Sequence, residues 1–199
     1  SIRETGGFVP DRDWDARRQV TLDAARLAKN HRIGAISTHV GFIPQSNHPH
    51  YQTLIARVKE VAEQLGDINV TLLLETGQEA AYELLQFLND LAVSNVGVNF
   101  DPANMILYGA GDPIEAIGIL SRHIGHVHVK DARLSDQPGV RWGEECVIGT
   151  GQVPWKEFLR ALKRVGYEGP LVIEREHGSN RMADVQSALE ALRRSADAE

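Results

Sequence analysis

Short aliphatic runs alternating with amphipathic stretches constrain this chain more than any other feature. RIGAISTH, INVTLLLE, VGVNFD, GHVHVKD and PLVIERE each read as an extended strand that closes on a polar residue. Between and around them lie stretches of helical period: Asp13 to Asn30, Tyr51 to Leu65, Gln78 to Leu91, a segment opening at Asp112 and Pro113, Trp155 to Val165, and Ala183 to Arg194. Val20, Ala24 and Leu27 form the expected apolar stripe of the first helix, and Leu84, Leu85, Leu88 and Leu91 that of the third. Asp112 followed by Pro113 is an N-cap and first-turn proline. Strands and helices in this order predict right-handed βαβ units and a parallel sheet covered by helices.

Two α/β architectures satisfy that pattern. A doubly wound sheet usually carries a glycine-rich fingerprint after its first strand, and none is present. A (β/α)8 barrel places polar residues at the C-terminal ends of successive strands, as this chain does. Eight units take about 250 residues, so the 199 residues here suit a single barrel domain over residues 1–199 that lacks its first two βα units. SIRETGGF reads as the tail of one further strand. An unclosed barrel exposes sheet edges, so the expectation is pairing with a second copy as a homodimer.

A formal charge of -6 and the absence of basic runs exclude a protein that grips a nucleic-acid backbone. One cysteine, Cys146, cannot form an internal disulfide. No apolar run is long enough for a membrane span, and no signal-peptide pattern opens the chain. The composition therefore predicts a cytoplasmic protein without membrane partners.

Four consecutive strands end in a residue able to ligate a metal: Glu75, Asp101, His128, and Glu174 or Glu176. Barrel strands converge on one mouth, where three carboxylates and an imidazole suit Mn²⁺ first, with Mg²⁺, Co²⁺ and Zn²⁺ as alternatives. Strand alternation puts Val96, Val98 and Phe100 toward the helices and Gly97, Asn99 and Asp101 toward the interior. It also puts His126 and His128 on one face, with His126 deeper as a packed, hydrogen-bonded interior residue. Spacing alone does not choose between Glu174 and Glu176.

LLLETGQE, NFDPANMILYG, HVHVKD and GYEGPLVIERE together resemble the sugar phosphate isomerase and epimerase family, the xylose isomerase-like barrels that include ketose 3-epimerases and inosose dehydratases. The resemblance implies that Glu75, Asp101, His128 and Glu174 bind one divalent ion. It further implies an isomerase or epimerase that removes a proton beside a carbonyl through an enediolate, with Glu75 and Glu174 as catalytic acid and base. The substrate class is a small polyhydroxylated carbonyl compound, phosphorylated or not. An inosose-type dehydratase using the same metal, and an inactive truncated remnant, are the alternatives.

The chain departs from the ketose 3-epimerases in having Asn104 where they have a substrate-binding histidine and Leu134 where they have an arginine. With Lys130 and Asp131 at its end, HVHVKD looks closer to the inosose dehydratase and sugar-phosphate-isomerase-like branches. His39, Asn104 and Lys130 are the candidate substrate-binding residues. His48 and His50 fall on a loop able to cover the site, and GTGQVPW at Gly149 to Trp155 is a candidate phosphate loop.

Overall fold

The structure, a computed structural model, describes residues 6–197. The start of SIRETGGF lies outside the described residues, and Gly7 and Phe8 form a turn rather than a strand. The elements are α1 (Asp11–Asn30), β1 (Ala35–Thr38), α2 (Pro49–Gly66), β2 (Thr71–Glu75), α3 (Ala81–Leu91), β3 (Val96–Phe100), α4 (Pro102–Tyr108), α5 (Pro113–Leu120), β4 (Ile124–Val129), β5 (Asp131–Arg133), β6 (Glu144–Cys146), α6 (Trp155–Arg164), β7 (Leu171–Ile173) and α7 (Arg181–Asp197). One sheet has the strand order β1-β2-β3-β4-β7, and β5 and β6 form a separate two-stranded ribbon. Among the described residues no helix is long and apolar enough to cross a membrane.

The chain divides into two compact units, one running to Glu75 and including Glu83–Val98, the other holding Thr76–Tyr82 and Asn99 onward. In the first unit β1 and β2 pair in parallel with Ala35 opposite Thr71 and Thr38 opposite Leu74. Helix α2 starts where the rules of helix entry place it: Pro49 occupies the first turn, and the His48 side chain accepts a hydrogen bond from the backbone N–H of His50. The two histidines expected on a covering loop are thus the cap and first turn of a helix. Leu54, Val58, Val61 and Leu65 of α2 are fully buried with Leu72, Leu74 and Phe87, each contributing about 1.5–3 kcal/mol of hydrophobic stabilisation. Tyr51 packs edge-on against Phe87 and donates its hydroxyl to Asp90 at 2.7 Å.

The apolar stripe expected on α1 is corrected. Val20 and Leu27 are exposed, and the buried residues are Thr21, Leu22, Ala25 and Ala28. The helix carries two apolar stripes, and the small side chains of Ala25 and Ala28 let that face approach its neighbours closely, a property periodicity does not register.

Arg57 ties the segment before α1 to α2. Its guanidinium donates to the carbonyls of Phe8 (2.8 Å) and Val9 (2.5 Å), pairs with Asp11, and lies 5.0 Å from the centre of the Trp14 ring. The turn beneath it depends on glycine: Gly7 has φ +62°, and a Cβ there would sit 2.0 Å from the Val40 carbonyl oxygen. Gly7→Ala is therefore expected to destabilise the protein by about 2–4 kcal/mol, read from urea unfolding, because positive φ and a backbone clash coincide.

In the second unit β4 and β7 pair in parallel, with His128 opposite Val172. Val127 and Val129 are fully buried on one face of β4, as the alternation predicts. Phe100 of β3 packs on Phe158 of α6 with ring centres 6.0 Å apart, and Trp155 meets Phe158 edge-on. Three elements go beyond the predicted set. Helix α4 follows Asp101 directly, with Pro102 in its first turn and Gly109 in a left-handed C-terminal position. The β5–β6 ribbon occupies the stretch expected as loop, its strands too short and charged to show a period.

Candidate metal and active site

Asp101 closes β3 and opens α4, and the two roles use different oxygens. Its Oδ1 accepts from the backbone N–H groups of Ala103 (2.8 Å) and Asn104 (3.0 Å), capping the helix. Its Oδ2 lies 3.5 Å from His128 Nδ1 and 3.5 Å from Lys130 Nζ. The residue is fully buried. Thr76 holds the backbone beneath it: the Thr76 hydroxyl donates to the Asp101 carbonyl at 2.9 Å and accepts from the Asp101 N–H at 2.8 Å.

His128 projects from the opposite face of β4 to the buried valines. Its Nδ1 is 3.2 Å from Glu174 Oε2, and its Nε2 lies 3.1 Å from Asn99 Nδ2. Asp101, His128 and Glu174 each offer a ligand atom within 4.8 Å of the others. Register explains why Glu174 rather than Glu176 reaches this group. The Glu174 N–H still donates to Val129 O at 3.0 Å, continuing the β4–β7 ladder and setting its side chain beside His128. Glu176 is further along and more exposed, and it reaches Lys130 at 2.7 Å.

Lys130 is 2% exposed and donates to both Glu174 Oε2 (3.0 Å) and Glu176 Oε2 (2.7 Å). Burial would lower its pKa, but the carboxylates of Asp101, Glu176 and Glu174 outweigh this and raise it, so the ammonium stays charged. Burial would likewise raise Glu174. The hydrogen bond from His128 and the charge on Lys130 prevail and hold its carboxyl below the ordinary range. Asn104 is buried, its Nδ2 donating to Thr76 O at 3.1 Å and its Oδ1 3.4 Å from Lys130 Nζ.

Glu75, which ends β2, and His39 belong to the first unit, where His39 Nε2 is 3.3 Å from Glu75 Oε1. The side chains of the other five predicted site residues, Asp101, Asn104, His128, Lys130 and Glu174, are brought together in the second.

The structure also gives supporting roles to residues that the sequence left without one. Asn99 lies between His126 and His128. Glu145, on β6, accepts from Arg175, from the backbone N–H groups of Glu176 and His177, and pairs with the His177 ring, pinning the segment after Glu174. Burial would raise its pKa, and the bonds from Arg175 and His177 lower it. Asp131 accepts from the N–H groups of Gly149, Gly151 and Val153 and from the Trp155 indole. The phosphate expectation for GTGQVPW is corrected accordingly, since these donors already serve a carboxylate of the chain itself.

The profile of the xylose isomerase-like TIM barrel matches residues 5–195, running through both units. The chain belongs to that family. Among xylose isomerase-like barrels of known structure, a xylose isomerase domain protein from Planctomyces limnophilus superposes with a TM-score of 0.90 at 38% identity, over 98% of this chain and 70% of that one. A ketose 3-epimerase from Arthrobacter globiformis is 30% identical over 129 residues, 60% of this chain and 39% of the relative. An inosose dehydratase from Lacticaseibacillus casei is 27% identical over 127 residues, 58% of this chain and 42% of the relative. The chain spans about half the length, or less, of the curated relatives it matches.

Proposed function

We propose that the chain is the metal-binding part of an isomerase or epimerase that moves a proton on a carbon beside the carbonyl of a small polyhydroxylated compound. The observation that carries this reading is the convergence of Asp101, His128 and Glu174 within 4.8 Å at strand ends, with a buried lysine beside them. Two carboxylate oxygens and one imidazole nitrogen fit a divalent ion of hard or borderline character, with Mn²⁺ favoured over Mg²⁺, Co²⁺ and Zn²⁺. Glu75 is proposed as the fourth ligand, and the two units as parts of one barrel domain. An ion held by these residues would supply Lewis-acid polarisation of a substrate carbonyl.

The chain's own residues supply the proton chemistry in this reading. Glu174, held ionised at neutral pH by His128 and Lys130, accepts the carbon-bound proton or returns it. Glu75 takes the complementary role, oriented by His39. Lys130 and Asn104 present a cation and an amide to a substrate oxygen.

Lys130 favours a second reading. An ammonium within reach of the reacting carbons can assist departure of a β-hydroxyl, and the match to an inosose dehydratase agrees with it. Incubation in D₂O with a panel of ketoses and with inosose separates the two. Deuterium entering an unchanged sugar skeleton, lost in Glu174→Gln, is the expected result. A new enone absorbance instead selects the dehydratase, and silence with every compound points to the inactive remnant.

A further inference from the structure

We propose that Asn99 couples His126 to His128 and determines which His128 nitrogen offers a lone pair to the metal, an inference that rests on the ligand set proposed above. Asn99 is fully buried, with Oδ1 2.8 Å from His126 Nδ1 and Nδ2 3.1 Å from His128 Nε2. The two rings stand nearly perpendicular, centres 5.4 Å apart. An amide oxygen only accepts and an amide nitrogen only donates. One ring must therefore donate to Asn99 while the other accepts from it, and the two tautomers are linked.

With the amide oriented as in the structure, the tautomers that satisfy it have His126 Nδ1 donating to Oδ1 and Nδ2 donating to His128 Nε2. Neutral His128 then bears its hydrogen on Nδ1, facing Glu174 Oε2 at 3.2 Å and Asp101 Oδ2 at 3.5 Å. That form bonds well to carboxylates. Ligation needs the reverse, a lone pair on the nitrogen that faces them and a hydrogen on the far nitrogen held by a supporting acceptor. Asn99 becomes that acceptor by turning its amide end for end. Its Nδ2 then donates to His126 Nδ1, so His126 must carry its hydrogen on Nε2. Each ring keeps one hydrogen and stays neutral, the hydrogen changing nitrogens by exchange with solvent. Asn99 is thus a positioning residue, and His126 reports on a metal it does not ligate.

The test uses the full chain with ¹⁵N-labelled histidine. Two-bond ¹H–¹⁵N spectra recorded without metal and with Mg²⁺ or Zn²⁺ assign the tautomer of each ring, and calorimetry on the same samples reads binding. The expected result is that both His126 and His128 change from the Nδ1–H to the Nε2–H form on loading. Asn99→Leu is expected to weaken binding by roughly 10–100-fold. Asn99→Asp, which accepts at both ends, is expected to retain it and to hold His128 as Nε2–H in both states. Metal binding with His126 unchanged, or Asn99→Leu binding as tightly as the parent, overturns the coupling alone. A parent protein that binds neither ion overturns the ligand set, and the coupling with it. If Asn99→Leu does not fold, the spectra of the parent protein still decide the matter.

Discussion

His128→Ala and Asp101→Asn are each expected to lower divalent-metal affinity by more than about 100-fold, beyond the roughly 10–100-fold typical of a supporting residue. The two substitutions remove different things. His128→Ala takes away the nitrogen donor and leaves Asp101 and Glu174 in place. Asp101→Asn keeps an Oδ1 able to cap α4 through Ala103 and Asn104, so the helix survives while the anionic oxygen facing His128 and Lys130 is lost. Elemental analysis after dialysis against Mn²⁺, with calorimetric titration, measures both. If both variants keep the metal content of the parent, the proposed ligands are wrong.

Asp131→Ala is expected to destabilise the protein by about 3–5 kcal/mol. A single buried carboxylate gathers the N–H groups of Gly149 (2.8 Å), Gly151 (3.1 Å) and Val153 (3.0 Å), together with the Trp155 indole at 3.1 Å. Each buried donor left without an acceptor costs about 1–3 kcal/mol, and hydrogen bonds to a charged group are stronger than neutral ones. Asp131→Asn, which retains one accepting oxygen, should cost distinctly less. Urea unfolding followed by tryptophan fluorescence reports the difference. A loss below about 1 kcal/mol for Asp131→Ala would show that the loop from Gly149 to Trp155 holds its shape by other means.

Much of the fold is legible because strand and helix periods differ. The ends of β2, β3 and β4 are visible as Glu75, Asp101 and the His128 run, since each aliphatic stretch stops on a charged or imidazole group. The choice between Glu174 and Glu176 is not legible, because a period of two sends both to the same side. It is resolved by the Glu174 N–H continuing the ladder to Val129. Helix α4 leaves a signal in Asp101, Pro102 and Gly109, an N-cap, a first-turn proline and a C-terminal glycine around a stretch too short to show a helical period. Alternation turns Asn99 inward without naming its partners, and Thr76 left no signal. A small polar residue in or just past a strand does not reveal its partners until the residues 25 to 29 positions away are known. Asp131 is similar, its donors arriving from 18 to 24 residues downstream.

Under the proposed ligand set, Lys130 has a consequence for the state of the protein without metal. Three carboxylates crowded into one place ordinarily repel one another, and small metal-dependent domains unravel when a chelator strips their ion. Here a resident ammonium already neutralises much of that repulsion. The stripped protein should keep its shape, and an arriving ion must compete with a tethered cation for Glu174, which favours reversible exchange over permanent capture.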